Sequence, residues 1–182
     1  KSVTAELGCV TPTIVVPGPW SKADIKYQAE NIATQKLHNG SFNCIASQIL
    51  VLPEMWDTAD DLLAEVKTTI STVTPREPYY PGAHDRHESI KQAYQNCEGL
   101  DDSDTCELPR LLITDLDNNN VDEYLFNQEV FVGALGQTSL PGSDPGKYLK
   151  NAVQFCNKKL WGTLGANILI HPKTIMQLGP DF

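Results

Sequence analysis

The sequence of 182 residues has no C-x-x-C pair, no long apolar run and a shortage of positive charge. Its five cysteines, Cys9, Cys44, Cys97, Cys106 and Cys156, are odd in number and widely spaced, which excludes a fully paired disulfide framework. Cys97 and Cys106 flank an acidic loop and could meet, but in a reducing compartment all five read as thiols. His84 and His87 have H-x-x-H spacing, yet no nearby cysteine pair completes a tetrahedral set, so no metal is expected. Nothing approaches the roughly 18 consecutive apolar residues of a membrane span. The opening "KSVTAELG" also lacks the apolar stretch of a signal peptide, and the chain reads as soluble and cytoplasmic with no membrane partner. Fourteen lysines and arginines against 23 aspartates and glutamates give a net charge of −9. Such a surface repels a polyanion, which argues against nucleic acid as a partner. A G-x-G-x-x-G loop is missing too, so the residues carry no dinucleotide-binding fingerprint.

What is present, 41% hydrophobic residues, suffices for one substantial core in a single domain. Strand-like runs alternate with helical patterns, the mark of an α/β fold. A β-branched run at 13–16 is stopped by Pro17, Gly18 and Pro19. The Ser21 hydroxyl then caps a helix to about Leu37, with Ile25, Ala29, Ile32 and Ala33 on one face. A second strand is predicted at 47–52, followed by a helix capped by Thr58 that carries Leu62, Leu63, Val66 and Ile70 and ends before Pro75. The proline-rich stretch "TPREPYYPGAHDRHES" reads as an ordered loop whose Tyr79 and Tyr80 pack down, leading into a helix near 87–96. Further strands are predicted at 111–115, at the continuous apolar run 130–136 and at 166–171. A helix over 145–160 buries Leu149, Ala152, Val153, Phe155 and Cys156; Trp161 anchors packing beyond it and Gly162 offers a cap. Asp115, Asp117 and Asn119 mimic the first slots of a calcium loop. Asn120 replaces its turn glycine and Phe126 its terminal glutamate, so calcium is rejected.

One short stretch, "HNGSFNCIAS", raises a chemical question about Cys44. If Ile45, Ala46 and Ser47 start a helix, unpaired N–H groups and the macrodipole would favour the thiolate of Cys44. The competing reading is a buried small hydrophobe. A hydrolase or acyltransferase would need a histidine such as His38 or His171 beside the thiol.

Three segments in order, "VTAELGCVTPTIVV", "HNGSFNC" and "QEVFVGAL", resemble motifs of the aldehyde dehydrogenase superfamily: E-L-G-G-x-x-P, N-x-G-Q-x-C and E-x-F-G-P-V. The later "FCNKKLWGTLGANILIHPKT" is similar to that family's passage from a helix into a strand. The resemblance implies an α/β three-layer sandwich, a mostly parallel sheet flanked by helices, of aldehyde dehydrogenase catalytic-domain type. It implies that Cys44 attacks an aldehyde carbon to form a thiohemiacetal that becomes a thioester, and that Glu6 activates the water for deacylation. The Cys44 amide would help hold the oxyanion. Glu129 would accept from nicotinamide ribose hydroxyls and Phe131 would pack near that ring, with NAD or NADP as cofactor and a small-molecule aldehyde as substrate. The family's cofactor-binding half lies mostly before the E-L-G segment, so residues 1–182 are expected to be one catalytic-domain fragment of a longer, homo-oligomeric chain. Departures stand at Cys9 for glycine, Ser41 for glycine, Phe42 for glutamine and "VGAL" after Phe131. They keep a catalytically silent binding or assembly module as the alternative, and fold alone cannot exclude it.

Overall fold

Successive side chains of the central strands enter two separate cores, as a sheet covered on both faces requires. The computed structural model describes residues 2–5, 8–101, 106–162 and 164–180. Strand β1 (Pro12–Val15) sends Ile14 to one core and Val15 to the other. Strand β2 (Ile49–Pro53) divides Ile49 and Val51 from Leu50 and Leu52 in the same way. Strands β3 (Glu98–Gly99), β4 (Leu111–Ile113), β5 (Ala134–Leu140) and β6 (Asn167–Leu169) complete one sheet, ordered β3-β4-β5-β2-β1-β6. Every pairing is parallel except that of β3 with β4.

Helices α1 (Lys22–Leu37) and α2 (Ala59–Thr72) cover one face through Ile25, Ala29, Ile32, Leu62, Val66 and Ile70. Helices α3 (Ala83–Ala93), α4 (Tyr124–Asn127) and α5 (Pro145–Lys159) cover the other through Ile90, Phe126, Tyr148, Ala152 and Phe155. A short α6 (Pro172–Leu178) follows β6. The expected three-layer α/β sandwich, a mostly parallel sheet flanked by helices, is the architecture found. Among the described residues, no helix is long and apolar enough to cross a membrane.

Local chemistry explains where the elements begin. Ser21 Oγ accepts the Asp24 N–H at 3.2 Å while the Asp24 carboxylate accepts the Ser21 N–H at 2.8 Å, a reciprocal capping box at the start of α1. Thr58 does stand at the N-cap of α2, but its hydroxyl makes no capping bond; Oγ1 is buried without a partner among the described residues. Helix α3 begins earlier than its pattern suggested, at Ala83 after Gly82, whose φ of 78° turns the chain into it. On α5 Tyr148 belongs to the buried stripe, whereas Val153 is 42% exposed.

The strand predicted at 130–136 begins instead at Ala134 and runs on to Leu140. Phe131 has φ of 45°, a left-handed conformation that no extended strand accommodates, so the apolar run is half loop and half strand. The shift leaves Phe131 in the loop that leads into β5. The segments preceding β1, β2 and β5 all reach the same edge of the sheet, the one where these parallel strands begin.

Candidate active site

Strands β5, β2 and β1 are neighbours, so the segments that lead into them meet at that edge. Cys9 leads toward β1, Cys44 toward β2, and Glu129 and Phe131 toward β5. Glu129 Oε1 accepts the Cys9 N–H at 3.4 Å. The Cys44 carbonyl accepts from Thr11 Oγ1 at 3.0 Å and from Cys9 Sγ at 3.1 Å. Between them Gln48, 1% exposed, donates from Nε2 to the Cys9 carbonyl at 2.8 Å and accepts the Val130 N–H on Oε1 at 2.7 Å. One amide therefore satisfies two buried backbone groups from two other segments, which would otherwise each carry a desolvation cost.

The sequence signalled Cys44, Glu129 and Phe131 and passed over Gln48 and Thr11. The only sign of Gln48 was a polar residue at the threshold of the apolar run "ILVLP". Glu6, the expected general base, lies outside the described residues.

The segment before Cys44 owes its shape to three consecutive left-handed residues, Asn39 (φ 54°), Gly40 (φ 65°) and Ser41 (φ 71°). Asparagine and glycine enter this region readily; serine does not. Ser41 Oγ, buried, donates to the Lys36 carbonyl at 2.6 Å, and Asn39 Nδ2 donates to the Phe42 carbonyl at 3.0 Å. No helix follows Cys44. Residues 43–46 form a turn in which Asn43 Oδ1 accepts the Ile45 N–H at 3.1 Å, a side-chain bond that competes with helix initiation. Cys44 is half-buried there, while its neighbour Ile45 is 61% exposed. The turn then fastens to the fold through Ser47, whose N–H reaches the Gln35 carbonyl at 3.2 Å and whose Oγ bonds Thr13 Oγ1 at 2.8 Å.

Phe42 and Phe131 join a cluster of rings. Tyr80 stacks on Phe42 at 5.7 Å and meets Phe131 edge-on at 4.8 Å, while Tyr79 meets Phe42 at 5.1 Å. The expectation that both tyrosines pack down holds only for their ring contacts: Tyr79 is 56% and Tyr80 41% exposed. The Arg86 guanidinium lies 5.9 Å from the ring centres of Tyr80 and Phe131, within cation–π range. On the other side Trp161, 44% exposed, lies against Gly8; a Cβ there would come within 2.9 Å of its ring and 3.0 Å of Glu129 Oε2. Gly162 likewise approaches Cys9 so closely that a Cβ would stand 2.5 Å from the Cys9 Cβ.

Of the two histidines named for a hydrolase, His38 is exposed at the end of α1, its carbonyl accepting from Asn43 Nδ2 at 3.0 Å. His171 follows β6 and so lies at the opposite, carboxyl edge of the sheet, where Nδ1 accepts the Lys173 N–H. His84 bonds Glu107 and His87 bonds the Pro109 carbonyl. Among the described residues no histidine ring is hydrogen-bonded to the Cys44 thiol. The pattern also missed Lys36: it is 1% exposed, its Nζ has no hydrogen-bond partner among the described residues, and burial pulls its ammonium from the ordinary 10.5 down to about 7.

No family model and no curated protein matches the chain. Solved structures do. An NAD-dependent aldehyde dehydrogenase from Sinorhizobium meliloti superposes with a TM-score of 0.68 over 94% of this chain and 35% of its own, at 19% identity. Lactaldehyde dehydrogenase from Escherichia coli gives 0.67 over 94% and 37%, at 14% identity. An oxidoreductase from Marinobacter aquaeolei gives 0.69 over 95% and 36%, at 13% identity. The fold class is therefore that of aldehyde dehydrogenase domains, and the chain spans little more than a third of the length of these structures. At these identities the likeness is one of fold.

Proposed function

We propose that this chain carries the nucleophile-bearing part of an NAD- or NADP-dependent oxidoreductase that converts a small aldehyde to a carboxylic acid. One observation carries the reading. On an aldehyde dehydrogenase fold, the three motif-like segments meet at one sheet edge, joined through Cys9, Gln48 and the Cys44 carbonyl. In this reading the Cys44 thiolate attacks the aldehyde carbon, and its peptide N–H helps hold the oxyanion of the thiohemiacetal. NAD or NADP, when bound, supplies a hydride acceptor. Cys44 then holds the substrate as a thioester, and Glu6 takes the proton of the water that hydrolyses it.

Glu129 and Phe131 fit a nucleotide sugar and ring. A carboxylate accepts at about four lone-pair positions, and Glu129 accepts the Cys9 N–H at 3.4 Å on Oε1. Glu129 holds the ribose hydroxyls, and Phe131 offers an apolar ring one residue beyond Val130. The test is aldehyde-dependent NAD(P)H formation by the full-length protein across an aldehyde panel. Cys44→Ala should lower the rate by about a thousandfold or more; retained oxidation would sink the nucleophile assignment.

A catalytically silent binding or assembly module is favoured by one feature, Tyr80 standing against the Phe131 ring at 4.8 Å. It requires that no aldehyde in the panel produce NAD(P)H with either cofactor.

A further inference from the structure

Two of the five thiols, 35 residues apart in sequence, share one small region of the fold. Cys9 Sγ donates to the Cys44 carbonyl at 3.1 Å and lies 3.3 Å from Thr11 Oγ1. The Cys9 sulfur is thus in contact with the main chain of the second cysteine, so a turn of Cys44 is the movement that would bring the two side chains together. Cys44 lies in a turn, outside any helix or strand, so its rotation breaks no ladder and gives up only the bonds its carbonyl accepts from Thr11 and from Cys9 itself. Access is unequal. Cys9 is 1% exposed, Cys44 is half-buried and its neighbour Ile45 points out.

We infer that Cys9 and Cys44 form a reversible disulfide when the site meets a peroxide, with Cys44 oxidised first and Cys9 acting as the resolving thiol. The Cys44 thiolate attacks one peroxide oxygen, the O–O bond breaks, and hydroxide leaves as Cys44 becomes a sulfenic acid. Cys9 sulfur then attacks the Cys44 sulfur, the S–O bond breaks, and water departs with the Cys9 proton, leaving Cys9–S–S–Cys44. Two electrons pass from the thiols to the peroxide, which ends as water. For the first oxidation the remaining thiols compete poorly with the half-buried Cys44. Burial pushes Cys156 up to about 12 and raises Cys106, leaving little thiolate at either, and Cys97 packs against the core. The pairing needs only the two thiols and does not depend on the aldehyde chemistry above. If Cys44 is the nucleophile, the bridge silences it reversibly and shields it from irreversible oxidation.

Peptide mapping decides this. The reduced full chain is exposed to hydrogen peroxide, its remaining thiols are blocked with N-ethylmaleimide, and it is digested with trypsin without reduction. Cleavage at lysines places Cys9 on residues 2–22 and Cys44 on residues 37–67, each with no other cysteine. The expected product is the linked pair, two hydrogens lighter than its separate peptides and lost on treatment with dithiothreitol. In Cys9→Ser, whose hydroxyl can still donate to the Cys44 carbonyl, Cys44 should instead accumulate sulfinic and sulfonic acid about tenfold faster. Maleimide-labelled Cys9 beside over-oxidised Cys44 in the parent chain, or a bridge from Cys44 to any other cysteine, would overturn the inference. The parent map alone suffices should Cys9→Ser misfold.

Discussion

Ser41 occupies a left-handed position where the aldehyde dehydrogenase motif has glycine, and it does so with its hydroxyl bonded back to Lys36 O. A side chain in that region costs about 1–2 kcal/mol, and a buried hydrogen bond returns about 0.5–1.5 kcal/mol. The two nearly offset, so serine can hold here a conformation that glycine adopts freely. A pattern read along the chain cannot see this, because the compensating carbonyl belongs to the last turn of α1. Lys36 itself was equally hidden, since a lysine on an amphipathic helix ordinarily extends to water. Its amine ionises near 7 when folded and near 10.5 when unfolded, so the unfolded chain binds the extra proton between those values. Stability attributable to Lys36 is therefore whole above 10.5, falls as pH drops, and is fully lost below about 7. Lys36→Met should stabilise the protein at pH 7.5 more than at pH 9.5, with the gap changing by up to about 1.4 kcal/mol per pH unit. Urea unfolding of both proteins at the two pH values measures it; an identical gap would refute the assignment.

At the scale of elements, periodicity located the long helices well. The capping box of Ser21 and the stripe Ile25, Ala29, Ile32, Ala33 are local features, and α1 forms where they put it. Strand β5 was harder. In "VFVGALG" every residue is apolar or glycine, so nothing in the run distinguishes a buried loop from a buried strand; the left-handed Phe131 makes the division. Strand β3, two exposed residues long, is too short to carry any pattern. Gly136, inside β5, has a packing reason. A Cβ there would lie 2.7 Å from Leu116 Cδ1 and 2.8 Å from Ile49 Cδ1, both buried. Gly136→Ala should cost about 1–3 kcal/mol through overpacking. Gly99→Ala, with nothing within 4 Å of the added carbon, is the control. Equal denaturation midpoints for the two variants would contradict the tight fit.

For the molecule as a whole, the candidate site was legible as three separate words and not as a sentence. Cys44 and Glu129 stand out within contiguous motifs, whereas Gln48 and Thr11 act across strands and have no local signature. Together these residues close a circuit: Gln48 reaches Cys9 and Val130, and Glu129 returns to Cys9. Gln48→Ala removes its bonds to the Cys9 carbonyl and the Val130 N–H and should lower stability by about 2 kcal/mol. With Glu129→Ala added, the double variant should depart from additivity by about 0.5 kcal/mol or more, because the two bonds brace the same joint. Additive losses in urea unfolding would show that the two contacts act independently.

Gln48 leads into β2, the central strand of the three. Neighbouring strands in a sheet are spaced about 4.8 Å apart, so the approaches to β5, β2 and β1 form three even teeth spanning roughly 10 Å. Cys9 and Glu129 belong to the outer teeth, and the Glu129 carboxylate bridges them by accepting the Cys9 N–H. A molecule held by all three segments would lie across the strands, and the repeat of the sheet would set the spacing of its contacts.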